Sequence, residues 1–592
     1  ANLPAETQIV AGRAVVRMPS SSPQAASHPV LAVVDASEAA PLKLSGRPDG
    51  VMLQGRLAAK QEVRCRLYVP AWPLKVDEQA TLVGGEMLWD AFKAYWDRVL
   101  APAMQVRVPD EFLMNVIRAS QVHCLLAARN EEGARRVAAW TASVSYGPLE
   151  SESHSLIRGM ALVGQEKFAR RSLDYFIHRY DPAGFLTVGY TLMGTGWHLQ
   201  TLGEFYELTQ NREWLQANAP KIAKVCEWII KQREKTKHSP SGLKPLEYGL
   251  MPPGVEADWN AFAYHFCLNG YYCAGLREAA KALKDIGYEG ADAMLQDAEA
   301  FRQDILRAYR AVQAKMPVYG LRNGTFVPGY PGQLLPGPTG PFFPGEDGNR
   351  SWCYDVELGA HHLIPQGVLP ADGPDAAWIM DHMEDVQFLS DGWFDFPAAE
   401  SQKDPFNLGG FSKVQPYYTR NGEIDAMRDD VRPFVRTYFN TMASLIGLEN
   451  LCFQEHFHGV GAWNKTHETG YFLQQTRFML VMEHGDALWL APLVTNNWLK
   501  DGMVIEARNA PTRFGPVSYV IKSSVGQGFI EATIEPPTRS QPKQIILRLR
   551  HPDGRPMQSV TVNGRGHRDF DAAKQVIRIE PPAETIRVKV MY

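Results

Sequence analysis

Residues 194–215, GTGWHLQTLGEFYELTQNREWL, read as a loop end, a helix, a short Gln-Asn turn and the start of a second helix. The same helix–turn–helix plan runs through the middle of the chain. Helical spacing of apolar residues predicts twelve helices, over 110–129, 151–163, 165–179, 196–210, 212–236, 259–286, 290–315, 352–366, 374–389, 416–428, 431–447 and 469–484. No repeat of fixed period stands out, which argues for a closed array rather than an open solenoid. Twelve helices taken in pairs close into an (α/α)6 toroid, six inside and six outside. The expected fold is mainly α with β.

Outward from this core the period changes. Residues 1–100 carry short β-prone runs such as GRAVVRMP and PVLAVVDA, then a helical stretch, EMLWDAFKAYWDRVL. Residues 487–592 carry eight short β-prone runs, from ALWLAPLV to TIRVKVMY, broken by turns such as HPDGRP; this predicts a β-sandwich. The expected domains are therefore an N-terminal β-rich domain with a linker helix over 1–100, the toroid over 101–486 and the sandwich over 487–592. Residues 316–349 form a long Gly/Pro-rich loop with Tyr and Phe, which reads as an ordered lid.

Composition excludes several classes. Lys plus Arg number 61 and Asp plus Glu 65, a near-balance that argues against a nucleic-acid partner. No apolar run of transmembrane length occurs, so no membrane partner is expected. Seven cysteines, an odd number without a CxxC pair, argue against a disulfide framework or zinc site. The first residues lack a basic, then apolar, leader; either none existed or it has been removed.

The turns leading into alternate helices would meet on one rim of the toroid. Before the second helix stand Glu150, Glu152 and His154; before the fourth, Trp197 and His198; before the sixth, Glu256, Asp258 and Trp259. Before the eighth stand Trp352, Asp355 and Glu357; before the tenth, Gln415, Tyr417 and Tyr418; before the twelfth, Glu455, His456, Trp463, Lys465, His467 and Glu468. Capping and the helix dipole alone favour acids at helix starts. They do not call for Trp and His beside those acids, and the turns into the other helices lack them. Aromatic faces and carboxylates together suit a sugar, whose C–H faces stack and whose hydroxyls need acceptors. Hydrolysis of a glycosidic bond needs one protonated and one ionised carboxyl across that bond. Burial against aromatics raises the pKa of the first. The sixth and twelfth helices lie opposite in such a ring, so Glu256 or Asp258 would face Glu455 or Glu468 with room for a water.

This layout resembles the six-hairpin glycosidases, nearest to the α-L-rhamnosidase-like and glucoamylase-like glycoside hydrolases. The segments GTGWHLQTLGEFYELTQNREWL, VEADWNAFAYHFCLNGYYCAGLREAAKALKDIG and ALWLAPLVTNNWLKDGMVIEARNAPTRFGPVSYVIKS carry the likeness. The resemblance implies a general acid at Asp258, ahead of Glu256, and a base at Glu468, ahead of Glu455. It implies substrate contacts at Glu152, Trp197, His198, Trp259, Trp352, Asp355, Gln415, Tyr417, Trp463 and His467. The implied activity is exo-acting, inverting hydrolysis of an oligo- or polysaccharide. The rival readings are a polysaccharide lyase acting on uronates through Tyr or His, and a non-catalytic carbohydrate-binding protein. No cofactor is expected; a structural calcium on loop carboxylates is the one ion left open. Such enzymes are commonly exported, which points to a periplasmic or extracellular setting and otherwise to the cytoplasm.

Overall fold

The computed structural model of the chain describes residues 6–10, 12–18, 30–47, 50–71, 74, 78, 82, 85–186, 194–239, 242–256, 262–334, 357–388, 410–412, 415–457, 460–581 and 584–592. Contacts divide the chain into two compact units, Ala1–Val99 and Leu100–Tyr592. In the first, strands Glu6–Val10, Arg13–Arg17, Val30–Asp35 and Arg66–Tyr68 form an antiparallel four-stranded sheet in that order. A hairpin of Lys43–Arg47 and Gly50–Gln54 accompanies it. Helix α1, Gly85–Leu100, follows.

The second unit carries eleven further α-helices among the described residues. They are α2 (Glu111–Ala127), α3 (Glu150–Leu162), α4 (Glu166–Ile177), α5 (Gly194–Thr209), α6 (Arg212–Glu234), α7 (Phe266–Asp285), α8 (Ala291–Gln313), α9 (Pro374–His382), α10 (Asn421–Met427), α11 (Val431–Leu445) and α12 (Thr466–Leu480). Local chemistry sets their starts. The Asp110 carboxylate accepts from Leu113 N at 2.9 Å to cap α2, and Asn211 Oδ1 accepts from Trp214 N at 3.0 Å to cap α6.

Burial sorts these helices into two kinds. α3, α5, α10 and α12 are buried nearly all round, as is the N-terminal half of α7, whereas α2, α4, α6, α8 and α11 bury one face. A helix apolar or small on every side belongs inside a helical array, and one with a single apolar stripe belongs on its outside. α12 packs on α3, α3 on α5 and α5 on α7, while α10 touches α12. The one-faced helices lie against them: α4 on α3, α6 and α8 on α7, α11 on α10 and α2 on α12. Glycines permit the closest approaches. A Cβ on Gly159 of α3 would stand 2.2 Å from the Gly470 carbonyl oxygen of α12, and one on Gly275 of α7 would stand 2.4 Å from that of Gly196 in α5.

Three expected helices differ. α7 starts at Phe266, not near 259, because His265 is extended (φ −86°, ψ 135°) and bridges Gln333 while Gly254 bridges Ala263. α10 starts at Asn421 because Arg420 takes a left-handed conformation, φ 51°. Of the helix expected over 352–366, the described part ends in a single 3-10 turn, Ala360–Leu363, packed on α7.

The remaining chain is β. One sheet runs Val481–His484, Ala487–Leu490, Gln544–Arg548, Val576–Ile579 and Phe570–Asp571. A seven-stranded sheet runs Arg565–His567, Ser559–Val562, Ile586–Met591, Phe529–Glu535, Val517–Ser524, Val504–Ala510 and Gln105–Arg107. Strand Val517–Ser524 alternates, burying Val517, Tyr519, Ile521 and Ser523. The edge strand 105–107 comes from just ahead of α2 and so ties the helical region to this sheet. No described helix is long and apolar enough to cross a membrane.

Candidate active site

The first turns of α3 and α12 and the strand Cys452–His456 bring together a group of carboxyls around one ammonium. Lys465, 1% exposed, stands just before α12. Its Nζ donates to Glu455 Oε1 at 2.9 Å and lies 2.9 Å from Glu152 Oε2 and 3.1 Å from Oε1. The Tyr418 hydroxyl donates to Glu152 Oε1 at 2.9 Å. Glu455 Oε2 accepts from Ala462 N at 3.0 Å and from the Tyr146 hydroxyl at 3.3 Å. Buried charge of both signs in contact is held by these bonds rather than by water.

Burial works against charge on Glu152, yet the Lys465 and His467 charges and the bonds from Lys465 and Tyr418 overcome it and hold that carboxyl down at about 2. For Glu455 burial is again opposed, here by Lys465, His456 and the Ala462 amide, and the carboxyl ends below its usual range. Two neighbours go the other way. Burial pushes the Glu357 carboxyl well up, against one backbone bond from Gln415, and the charges of Glu468, Glu455 and Glu152 push it further. Burial likewise lifts Glu150 to about 8, with Glu152 adding to it. Among the described residues Glu150 Oε2 has no hydrogen-bond partner.

One glutamine joins the two kinds of carboxyl. Gln415 N donates to Glu357 Oε1 at 2.6 Å, and its side-chain Nε2 donates to Glu455 Oε1 at 3.2 Å. A carboxyl pushed up and a carboxyl pushed down are thus two hydrogen bonds apart through a single residue. Environment sets the two apart.

No family model and no curated protein matches the chain. Its solved neighbours are named as glycosidases. The α-L-rhamnosidase of Dictyoglumus thermophilum superposes with a TM-score of 0.46 at 10% identity, over 83% of this chain and 50% of that one. The Streptomyces avermitilis α-L-rhamnosidase complexed with L-rhamnose gives 0.46 at 12% identity, over 82% and 42%. A wild-type glycosidase gives 0.40 at 13%, over 62% of this chain and 98% of that one. The chain spans half or less of the rhamnosidases' length.

The expected site residues fall in four places. Glu152, Gln415 and Glu455 belong to the Lys465 cluster. His467 and Glu468 adjoin it: His467 Nδ1 lies 2.7 Å from Glu468 Oε2, and its ring meets that of Tyr418 at 4.4 Å. Glu256 lies at the start of α7, where its Oε1 accepts from Leu268 N at 2.9 Å and its Oε2 lies 3.4 Å from His265 Nδ1. Trp197, His198 and Tyr417 are interior. Trp197 is fully buried and stacks on His154 at 5.3 Å; His198 meets the Tyr180 hydroxyl, and burial drops it to about 3; Tyr417 packs on Phe453 and Tyr471. Trp463 ends the strand Val460–Trp463 and is 44% exposed. Asp258, Trp259, Trp352 and Asp355 lie outside the described residues, as does the lid loop beyond 334.

Lys465, Glu150, Glu357 and Tyr418, expected on the rim but not among the catalytic or substrate-contact residues, complete the cluster together with Tyr146. All but Tyr146 stand in the rim loops quoted above. The signal for Lys465 was an excess of acids on loops expected to converge, which requires a buried cation. Among the described residues no group of three or more His, Cys, Asp or Glu side chains is arranged to hold a metal ion.

Proposed function

We propose that this chain is a glycoside hydrolase, exo-acting and inverting, that cleaves an oligo- or polysaccharide at the Lys465 cluster. The observation that supports it is the Glu357–Gln415–Glu455 connection: one carboxyl kept protonated, one kept ionised, both buried and bridged. In this reading Glu455 takes a proton from water as the water oxygen bonds to the anomeric carbon. Glu357 gives its proton to the leaving oxygen as the glycosidic C–O bond breaks. This reading gives the acid role to Glu357 in place of Asp258, which the family resemblance implies and which lies outside the described residues, and the base role to Glu455 in place of Glu468; Glu256 is engaged at the start of α7. Tyr146, Tyr418 and Trp463 supply aromatic surface, and the Glu152 carboxylate supplies an acceptor for sugar hydroxyls.

The same reading takes the buried helices as the inner ring of an (α/α)6 toroid and the two C-terminal sheets as a β-sandwich. It places the enzyme in an exported setting and uses no cofactor. Screening aryl glycosides and polysaccharides, with the product anomer followed by NMR, tests it. An inverted anomer released from chain ends is expected. A retained anomer overturns the inverting step, rapid internal cleavage overturns the exo mode, and an unsaturated, ultraviolet-absorbing product marks a lyase instead.

A further inference from the structure

The helices that carry the Lys465 cluster at their starts border an open-sided cavity near their ends. It holds about 280 Å³ and is lined by Leu162 at the end of α3, Glu204 and Leu208 in the last turns of α5, Met427 at the end of α10, Phe478 near the end of α12, and Arg513. At 1.5 Å per residue, Glu152 and Leu162 stand about 15 Å apart along α3, so the two sites occupy opposite ends of the same helices.

Its polar groups are unevenly used. Arg513 Nη1 donates to Glu207 Oε1 at 3.1 Å, and Nη2 lies 3.8 Å from Asp486 Oδ1, while Nε and Nη2 are buried behind the lining with no hydrogen-bond partner among the described residues. Glu204 accepts from Gln200 at 3.0 Å and from Arg158 at 2.5 Å, and a carboxylate has room for about four such bonds. Charge in and behind the lining is matched. Glu204, Glu207, Glu423 and Glu483 face Arg158 and Arg513, with Arg420 paired to Glu423 and Arg477 to Glu483 from behind.

These facts discriminate among ligand classes. An anion would meet four carboxylates, and a cation would meet the Arg158 and Arg513 guanidiniums. A purely apolar ligand would cover the partly exposed Glu204 and Glu207 carboxylates with hydrocarbon, at the cost of unmade hydrogen bonds. A neutral polyol supplies donors for Glu204 and Glu207, an acceptor for the second Nη1 hydrogen of Arg513, and a C–H face for Phe478 and Leu208. The volume is some nine times the roughly 30 Å³ share of a liquid water, enough for a single sugar ring.

We propose that this cavity binds one neutral monosaccharide, separately from the Lys465 cluster and whether or not that cluster hydrolyses glycosides. Calorimetric titration of the full chain with L-rhamnose and with D-glucose tests it, in the wild type and in Arg513→Gln and Leu208→Trp. A Kd of about millimolar is expected for such a ligand. Each variant should lose one binding site, or weaken it at least tenfold, while any activity on aryl glycosides is retained. If the cluster is not a sugar site, the wild type binds one equivalent instead of two and the variants bind none, which still supports the cavity. Should Leu208→Trp fail to fold, Arg513→Gln, a change at a partly exposed side chain, carries the test alone. Equal stoichiometry and affinity in wild type and variants overturns the proposal, as does the absence of saturable binding to either sugar.

Discussion

Two buried charge clusters share the same helices and are built on opposite rules. Among the described residues, five carboxyls, Glu150, Glu152, Glu357, Glu455 and Glu468, gather near one ammonium, that of Lys465, and the His467 ring. Deeper along α3, Arg158 bonds Glu204 at 2.5 Å and Glu423 at 2.9 Å, and Arg420 bonds Glu423 at 2.7 Å and the Tyr271 hydroxyl at 2.8 Å. There two guanidiniums meet two carboxylates. Where the count is even, every charge has a partner of the opposite sign within the cluster. Around Lys465, burial lifts the Glu357 and Glu150 carboxyls and neighbouring carboxylates add to the lift, while contact with the ammonium holds Glu152 and Glu455 down. Burial and contact with the ammonium together set carboxyls of one residue type apart.

The widest separation between the two clusters should appear on removing Glu455. Glu455→Gln should lower kcat by about 10²–10⁴-fold while thermal unfolding shifts little, measured on the best aryl glycoside. An unchanged rate would put the Lys465 cluster on the same structural footing as the deeper one. The converse change is Arg420→Met, which leaves Glu423 short of one partner; a loss of roughly 3–5 kcal/mol of stability is expected by denaturant titration. A smaller loss would mean that water or Arg158 takes over the pairing.

Next in size, Gly159→Ala tests the packing that both clusters depend on. Its methyl would meet the Gly470 carbonyl at 2.2 Å, and the helices must part at a cost of about 1–3 kcal/mol. The finest test uses pH. Glu150 has a folded pKa of about 8, above its ordinary value of 4.5, so its contribution to stability is complete below pH 4.5 and is lost as pH rises through 8. Glu150→Gln should therefore flatten the stability profile between those values, leaving the variant more stable than wild type at pH 9 by on the order of a few kcal/mol. A wild-type profile already flat over that range would show that Glu150 is solvated.

Much of this was legible in the sequence. Helices with strong periodicity were placed within two or three residues, as with the expected 165–179 against Glu166–Ile177 and 290–315 against Ala291–Gln313. Starts went astray where tertiary contacts set the backbone: His265 bridging Gln333 delays α7, and the left-handed Arg420 delays α10. The rim loops were readable as a source of acids, and Glu152, Gln415 and Glu455 do converge. The partition among acids was not readable, because it depends on how deeply each carboxyl is buried and on which of them meets the Lys465 ammonium. Trp197 shows the other limit: an indole beside an acid-bearing loop looks the same in sequence whether it faces a cleft or stacks on His154 inside.

The Gly159–Gly470 contact joins segments more than three hundred residues apart in the chain. Neither partner has a side chain with which to form a loose, provisional version of that seam. The junction is made only when both helices are already complete and aligned, so it belongs to the end of folding rather than the beginning, and a ribosome must finish α12 before α3 has its final neighbour.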